Sequence, residues 1–230
     1  MALILNIETS TTNCSVSISN NGKLLSLIEE NTKKYIHSEK LHLFINNALK
    51  NANFKIKNLN AVCVSKGPGS YTSLRIGVAT AKGICYCLHI PLLSIDSLSI
   101  LIKSIDLNIV HENELIIPMI NTCNNEVNEV YTTLFNNKYK MLRTITTKFF
   151  NKELFKEYYL YKKICISNEI QNENKCKMFL TNFKHFIYAY PSAKNMGFFS
   201  EKLFYKKDYQ DITYFEPFYL KNYKINPSKV

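Results

Sequence analysis

The chain contains 230 residues, 46% of them hydrophobic and 13% aromatic, and carries a formal net charge of +11 at pH 7. This length and composition predict a globular protein with one large or two small packed domains. Seven irregularly spaced cysteines and an apolar start without a basic region predict free thiols in a reducing cytoplasm and argue against an export signal. The most hydrophobic window, residues 84–102, contains His89, Pro91 and Asp96, so a transmembrane segment is not expected.

The first hundred residues contain apolar segments of strand and helix length. Three strands joined as a meander are predicted first, with residues 20–22 as a hairpin turn. These strands are residues 3–7, 14–18 and 24–28. A helix then begins at Ser38 as the N-cap, and two short strands follow at residues 61–65 and 92–95. A long helix is predicted at residues 74–88. The order βββαβαβ, with an acidic residue, Glu8, closing the first strand, is typical of one lobe of the actin-like and ribonuclease-H-like α/β folds.

A glycine turn precedes the long helix. Gly67 and Gly69 allow positive φ on either side of Pro68, whose ring fixes its own φ, so the chain turns sharply. Ser70 or Thr72 can act as the N-cap of the helix that follows. The free N–H groups and the helix dipole favour an anion there, so the candidate cofactor-binding residues are Gly67, Gly69 and Ser70. The turn lacks the Walker A, dinucleotide-binding and nucleophile-elbow patterns, and no catalytic residue is predicted.

The helix at residues 74–88 is apolar on nearly every side. Small residues recur in it at four-residue spacing, which allows the close approach of another helix. Two interpretations stay open: the helix is enclosed within its own domain, or it is covered half by its own sheet and half by a partner protein. The second interpretation, together with the helix after Ser38, predicts a partner interface. Its residues are Leu41, Ile45, Ser73, Leu74, Gly77, Val78, Ala81 and Cys85.

Histidine and cysteine pairs near these helices do not predict a metal site. His37 and His42 are five residues apart and therefore lie about 140° from each other around a helix. They cannot bind one ion together as an i, i+4 pair does. Cys85 and Cys87 lie on different helix faces and have no second pair at zinc-ligand spacing. We therefore predict no bound metal.

The second half of the chain, residues 105–230, predicts a smaller α/β lobe after a first lobe at residues 1–104. Its predicted elements are strands at residues 115–120, 127–135, 139–147, 163–166 and 186–188 and a helix at residues 192–205. Acidic residues such as Glu126 and Glu129 fit solvated faces better than an acid–base pair. The C-terminal tail is expected to pack back on the first lobe.

The net charge of +11 is compatible with nucleic-acid binding, since Lys and Arg near aromatic residues contact phosphates and bases. Asn, Lys, Ile and Tyr are frequent throughout the chain, however, and no basic run or RNA-binding motif stands out. We interpret the charge mainly as a bias of composition. Direct nucleic-acid recognition stays an alternative.

Three segments of the sequence carry a family resemblance. They are ILNIETST at residues 4–11, YIHSEKL at residues 35–41 and GPGSYTSLRIGVATAKG at residues 67–83. In this order and spacing they closely resemble the TsaB (YeaZ) family, the bacterial partner subunits of the tRNA threonylcarbamoyladenosine machinery. Shorter similarities continue toward the C-terminus, but residues 121–123, Asn-Thr-Cys, stand where the family usually has Asp-Ala-Arg.

The resemblance implies an actin-like ATPase fold and a non-catalytic scaffolding role beside a TsaD-like catalytic subunit. TsaD-like proteins hold a metal with a His-x-x-x-His pair after the strand that matches residues 92–95, and this chain has no histidine in residues 94–101. The resemblance also implies a TsaE-like ATPase in the complex, a homodimer without the partner, indirect contact with tRNA and no membrane. No cofactor is expected, although a nucleotide at the complex interface is compatible with the resemblance.

Two other function classes stay open from the sequence. The first is an independent actin-fold ATPase or kinase, or a glycoprotease-like enzyme, which an ATPase or peptidase assay on the pure chain distinguishes. The second is a direct tRNA-binding protein, whose binding weakens steeply with salt in the absence of any partner.

Overall fold

The computed structural model describes residues 2–32, 34–106, 110–122, 128–169 and 171–220. Strands in these ranges form two five-stranded sheets. The first sheet contains β1 Leu3–Glu8, β2 Asn13–Asn20, β3 Lys23–Asn31, β4 Ala61–Ser65 and β5 Leu92–Ile95. The second contains β6 Glu114–Asn121, β7 Glu129–Thr132, β8 Thr146–Phe149, β9 Lys162–Ser167 and β10 Phe183–Tyr188. The α-helices are α1 His37–Asn51, α2 Tyr71–Leu88, α3 Ser97–Ile102, α4 Gln171–Phe179 and α5 Gly197–Lys206.

Both sheets have the same topology. The strand order is β3-β2-β1-β4-β5 in the first sheet and β8-β7-β6-β9-β10 in the second. In each sheet the first three strands pair antiparallel, and the last two run parallel to the first. The predicted βββαβαβ order and the two-lobed, actin-like α/β fold with mixed sheets are confirmed.

The central strand β1 is apolar on both faces because both faces are covered by other elements. Its odd-numbered residues, Leu3, Leu5 and Ile7, point into a core formed with α1 and α2. Ile4 points to the opposite face, into a core that includes residues next to α5. The helix pair α1 and α2 thus lies on one face of the first sheet and α5 on the other.

Helices α3 and α5 cross between the two halves. Helix α3 follows the first sheet, but its Leu98 and Leu101 pack into the core of the second sheet with Ile116. Helix α5 follows the second sheet, yet it packs against β1 and β5 of the first. The two halves are therefore interlocked through these helices. A domain boundary between residues 104 and 105 stays a prediction.

Residues 208–220, named here the strap, return along the first sheet and α2. The backbone N–H of Gln210 donates to the carbonyl of Leu92 at 2.8 Å, beside the edge strand β5. The ammonium group of Lys82 in α2 donates to two strap carbonyls at 3.3 and 3.2 Å. Phe218 N–H then donates to the carbonyl of Lys66 at 2.6 Å. The strap therefore connects the edge of the sheet, the flank of α2 and the glycine turn.

Several predicted boundaries are wrong. Helix α1 begins at His37, and its N-cap position is Ile36 without a side-chain cap, so Ser38 is not the N-cap. The strand predicted at residues 139–147 is replaced by β8, because Tyr139 has a left-handed φ of 56° and reverses the chain. The helix predicted at residues 192–205 is divided into a short 3₁₀ turn and α5.

Other elements of the structure have no counterpart among the predicted ones. Helices α3 and α4 are not predicted, and Glu126 and Cys123 lie outside the described residues. The six cysteines within the described ranges are free thiols. No helix in these ranges combines the length and the apolar character that a bilayer crossing requires.

Candidate functional site

Polar residues converge where the parallel strands of the first sheet end. Glu8 closes β1, Ser65 closes β4 and Asp96 follows β5. Because the carboxyl ends of parallel strands meet at one edge of a sheet, these side chains and the glycine turn lie near one another. This strand-end site is the position at which open α/β sheets generally bind ligands.

The carboxyl group of Glu8 is buried at the centre of the strand-end site. Its Oε1 accepts a hydrogen bond from the Ser10 N–H at 2.5 Å. Burial raises the pKa of Glu8 to about 7, although hydrogen bonds from Ser10 and Ser65 act in the opposite direction. Among the described residues, Glu8 Oε2, Thr9 Oγ1 and Ser10 Oγ are buried without a hydrogen-bond partner. This carboxyl group therefore changes its protonation near neutral pH.

The glycine turn packs tightly on the residues that follow β1. A Cβ atom added at Gly69 would collide with the carbonyl oxygen of Ser10. Ser70 N–H donates to the same oxygen at 2.7 Å. Gly67 has a φ of +100°, which confirms the predicted positive φ at that position. The prediction of positive φ at Gly69 is wrong, because close contact with Ser10 is what requires glycine there.

The three candidate cofactor-binding residues thus already contact other parts of the chain. A Cβ atom at Gly67 would lie 3.0 Å from the Phe218 carbonyl oxygen of the strap. Ser70 occupies the N-cap position of α2, but its hydroxyl donates to Ser73 at 3.0 Å and caps no backbone N–H. Anion binding by Gly67, Gly69 and Ser70 stays a prediction.

Asp96 is the second acid at this sheet edge. Both of its oxygens are occupied, one accepting from the Ser99 N–H at 2.7 Å and the other from the Ser99 hydroxyl at 2.6 Å. Burial raises the pKa of Asp96, and the hydrogen bonds from Ser99 oppose this rise. The side chain caps α3. Among the described residues, Glu8 is therefore the carboxyl group of the strand-end site with a buried oxygen, Oε2, that accepts no hydrogen bond.

Potential metal ligands do not cluster in the part of the chain that the structure describes. No group of three or more His, Cys, Asp or Glu side chains there has a geometry that fits a metal ion. His37 is buried, whereas His42 is exposed on α1. Burial lowers the pKa of His37. The expectation of no bound metal stays a prediction.

The predicted partner-interface residues are buried inside this chain. At most 5% of the surface of the non-glycine members is exposed, and Gly77 is also buried. The eight are Leu41, Ile45, Ser73, Leu74, Gly77, Val78, Ala81 and Cys85. A Cβ atom at Gly77 would collide with Thr9 Oγ1, so the row of small residues faces the first sheet. Most of these side chains therefore pack inside the chain, whereas Ile45 also lines a surface groove, and the partner interface at these residues stays a prediction.

The opposite side of α2 is largely exposed among the described residues. Five residues at alternating spacings of four and three form an outward stripe, and Tyr86 within it is 73% exposed. The stripe consists of Thr72, Ile76, Ala79, Gly83 and Tyr86. A groove of about 500 Å³ runs beside it, between Ile84 of α2 and Ile45 and Leu49 of α1. The stripe and the groove together are named here the helix-pair surface.

Sequence reasoning missed two parts of these sites. Glu8 is recognisable only as an acid at the end of a strand, and its burial and raised pKa depend on contacts from distant segments. The outward stripe could be identified from the sequence, because the spacing of residues 72, 76, 79, 83 and 86 places them on one face of a helix. Because α2 has apolar residues on both sides, the sequence does not show which row faces the sheet.

Comparison with known proteins supports one family. The model of the TsaD family, described as tRNA N6-adenosine threonylcarbamoyltransferase, matches residues 30–214. The chain is 40% identical over 99 residues to the tRNA threonylcarbamoyladenosine biosynthesis protein TsaB of Buchnera aphidicola from Schizaphis graminum, a match covering 43% of this chain and 46% of that protein. It is 28% identical over 95 residues to the Escherichia coli protein of the same name, covering 41% of this chain and 40% of that one.

These matched segments span less than half of either curated relative. Solved structures extend the similarity of fold to 96% of this chain. YeaZ from Pseudomonas aeruginosa aligns with a TM-score of 0.76 at 17% identity, over 96% of this chain and all of that one. Another Pseudomonas aeruginosa structure, described as similar to the peptidase YeaZ, aligns with a TM-score of 0.81 at 18% identity and the same coverage. The chain therefore belongs to the family whose model is described as tRNA N6-adenosine threonylcarbamoyltransferase, and its first half is similar to the proteins of that group named TsaB.

Proposed function

We propose that this chain is a non-catalytic subunit in tRNA threonylcarbamoyladenosine biosynthesis, and that it binds and supports a TsaD-like catalytic subunit. The names of the curated TsaB relatives support the pathway, and the match to the transferase family model supports a partner of related fold. The helix-pair surface is the part of the molecule that binds this partner.

The observation that carries the proposal is the outward stripe of α2. Its central residues Ala79 and Gly83 are small and exposed, so the backbone of another helix can approach closely. Ile76, which is partly buried against the first core, and the exposed ring of Tyr86 lie on either side of these small residues and provide apolar contact area. A contiguous apolar surface beside a groove favours burial by a protein partner. The helices of a TsaD-like subunit fit this surface as a four-helix arrangement with α1 and α2.

The strand-end site supports the non-catalytic part of the proposal. General acid–base chemistry requires titratable groups placed at a reacting atom. Among the described residues, the Asp96 carboxyl group is occupied in capping α3. The side chains next to Glu8 in the sequence, Thr9 and Ser10, carry hydroxyl groups and not a second acid or base. The arrangement provides one carboxyl group rather than an acid–base pair.

The proposal extends to the remaining partners. A second copy of this chain uses the helix-pair surface when the TsaD-like subunit is absent, so the two assemblies compete. A TsaE-like ATPase and the tRNA are bound through the complex, in the cytoplasm and without a cofactor held by this chain.

Copurification followed by a tRNA modification assay tests this function. We expect the tagged chain to retain the TsaD-like protein of the same organism, and the modification rate to fall to background when either protein is omitted. Modification at an unchanged rate without this chain would overturn the proposal. ATP or peptide hydrolysis by the pure chain that is lost in Glu8→Gln would support an independent enzyme instead. Salt-sensitive tRNA binding by the chain alone would support the direct RNA-binding alternative.

A further inference from the structure

The segment that builds the helix-pair surface has an uneven charge. Residues 37–90 contain seven Lys or Arg residues and one acid, Glu39, which gives a net charge of +6. The basic residues are Lys40, Lys50, Lys55, Lys57, Lys66, Arg75 and Lys82. The strap adds three acids, Asp208, Asp211 and Glu216, and no basic residue. The excess of positive charge persists when the strap is included.

Three of these cations border the helix-pair surface. Lys50 and Lys55 line the groove together with Ile84. Arg75 lies nine residues before Ile84, so it is about 14 Å away along the helix axis and about 180° around it, on the flank where Tyr219 of the strap also lies. None of the three cations has an ion-pair partner among the described residues. The groove therefore presents two positive charges without an ion-pair partner among the described residues, and Arg75 adds a third on the strap side of the stripe.

Arg75 is held in place by aromatic residues rather than by an acid. Its guanidinium carbon lies 4.1 Å from the centre of the Tyr71 ring, and its Nε donates to the Tyr219 hydroxyl at 3.2 Å. A guanidinium fixed in this way has further N–H donors for a carboxylate. Because the Arg75 side chain is already ordered, it loses little conformational entropy when it binds a carboxylate.

The acids of the strap lie on another side of α2. Lys82, which contacts the strap, is two residues from Ile84 and so about 200° from it around the helix. The strap therefore runs along the flank of α2 opposite the groove. Asp211 is also engaged locally, since its Oδ1 accepts from the Thr213 N–H at 2.7 Å. These acids leave Lys50 and Lys55 unneutralised.

We infer that the helix-pair surface is charged to select a protein partner with acidic residues around its contact area, and to disfavour pairing with a second copy of this chain. This inference rests on the proposed function and adds the chemistry of the partner. A two-fold symmetric dimer places the same patch on both sides of the interface. The cations of one copy then face the patch of the other copy, whose residues 37–90 contain a single acid, Glu39. A partner with an acidic surface is instead attracted to these cations and associates faster.

Opposite responses to salt distinguish the two assemblies. Salt screens both attraction and repulsion between exposed charges. From 50 to 500 mM NaCl, we expect the dissociation constant of the complex with the TsaD-like subunit to rise about tenfold. The dissociation constant of the homodimer is expected to fall or stay constant. Isothermal calorimetry measures the first constant and sedimentation equilibrium the second.

Charge reversal at the groove provides the matched variant. Lys50→Glu with Lys55→Glu is expected to weaken the complex about tenfold at 150 mM NaCl and to tighten the homodimer. The control is Lys138→Glu with Lys140→Glu, two exposed lysines in the second half of the chain, which changes neither constant. Circular dichroism of each variant verifies the fold.

Parallel weakening of both assemblies by salt, or unchanged constants in the groove variant, would overturn the inference. Absence of a complex with the TsaD-like subunit at every salt concentration would instead overturn the proposed function. In that case the salt response of the homodimer still tests the repulsion. If neither assembly forms at any salt concentration, both proposals are wrong.

Discussion

Gly77 of α2 lies directly against Thr9, the residue after β1, and a methyl group added to Gly77 would collide with the Thr9 hydroxyl oxygen. The helix can therefore approach the first sheet only because residue 77 has no side chain. This contact fixes the rotation of α2. The row that begins at Ser73 faces the sheet, and the stripe from Thr72 to Tyr86 faces outward.

The first prediction concerns the stability of two glycine variants in the same helix. Gly77→Ala is expected to lower the free energy of unfolding by about 1–3 kcal/mol, because the added methyl group overpacks the contact with Thr9. Gly83→Ala is the matched control: its Cβ atom would meet nothing within 4 Å, and alanine favours a helix by about 0.5–1 kcal/mol. Urea denaturation measures both changes. Equal effects of the two substitutions would contradict the orientation of α2.

Much of the first lobe is predictable from local patterns. The sequence predicts β4 and β5 to the residue, since short apolar runs bounded by polar or turn residues identify buried strands. The second half is less predictable. The segment of α4, QNENKCKMF, is polar and lacks an apolar periodicity, and α3 has only six residues, too few to show a helical period.

The second prediction follows from the raised pKa of Glu8. The folded protein binds a proton at Glu8 up to about pH 7, whereas the ordinary pKa of a glutamate in an unfolded chain is 4.5. The contribution of Glu8 to stability is therefore greatest below pH 4.5, decreases as pH rises to about 7, and is constant above it. The full decrease is roughly 3 kcal/mol.

Glu8→Gln removes this titration and keeps an acceptor for the Ser10 N–H. We expect the variant to be more stable than the natural chain at pH 8, and the difference to shrink at pH 5. Denaturation gives the unfolding free energy of both proteins at the two pH values. Because both proteins contain His37, the titration of this residue cancels in the difference. A difference that is independent of pH would show that Glu8 ionises with an ordinary pKa.

The third prediction concerns Lys163, which is only 1% exposed. Its ammonium group donates to the carbonyls of Tyr158, Tyr161 and Thr181 at 2.8, 3.1 and 2.9 Å. Lys163→Met leaves three carbonyl groups without this donor and is expected to cost about 2–4 kcal/mol of unfolding free energy. Lys162→Met, at the exposed neighbouring position, is expected to change it by less than about 0.5 kcal/mol. Thermal unfolding of the two variants measures this difference in stability. Similar stabilities would show that the buried hydrogen bonds of Lys163 contribute little.

The candidate sites are only partly predictable. An apolar helix with small residues in one row predicts close packing, but the row does not reveal what it packs against. In the structure the row meets Thr9 and the first sheet. The assignment of the glycine turn has a similar limit, because the contact that excludes a side chain at Gly69 comes from Ser10, about 60 residues earlier.

Two alanines of α2 separate folding from partner binding. Ala81 is fully buried against the sheet, so Ala81→Arg places an unpaired charge in the core and is expected to destabilise the protein by several kcal/mol. Ala79 is exposed in the centre of the outward stripe. Ala79→Arg is therefore expected to leave the melting temperature within about 2 °C of the natural value, since surface substitutions usually change stability little.

The affinity of folded Ala79→Arg for the TsaD-like subunit tests the central claim most directly. At the centre of a packed interface the arginine would separate the helices and bury a charge, and a loss of about 3 kcal/mol or more corresponds to an affinity reduced at least about 100-fold. Calorimetric titration of the natural chain and the variant under identical conditions gives the ratio. We predict a loss of that size with an unchanged fold, whereas equal affinities would place the partner interface elsewhere.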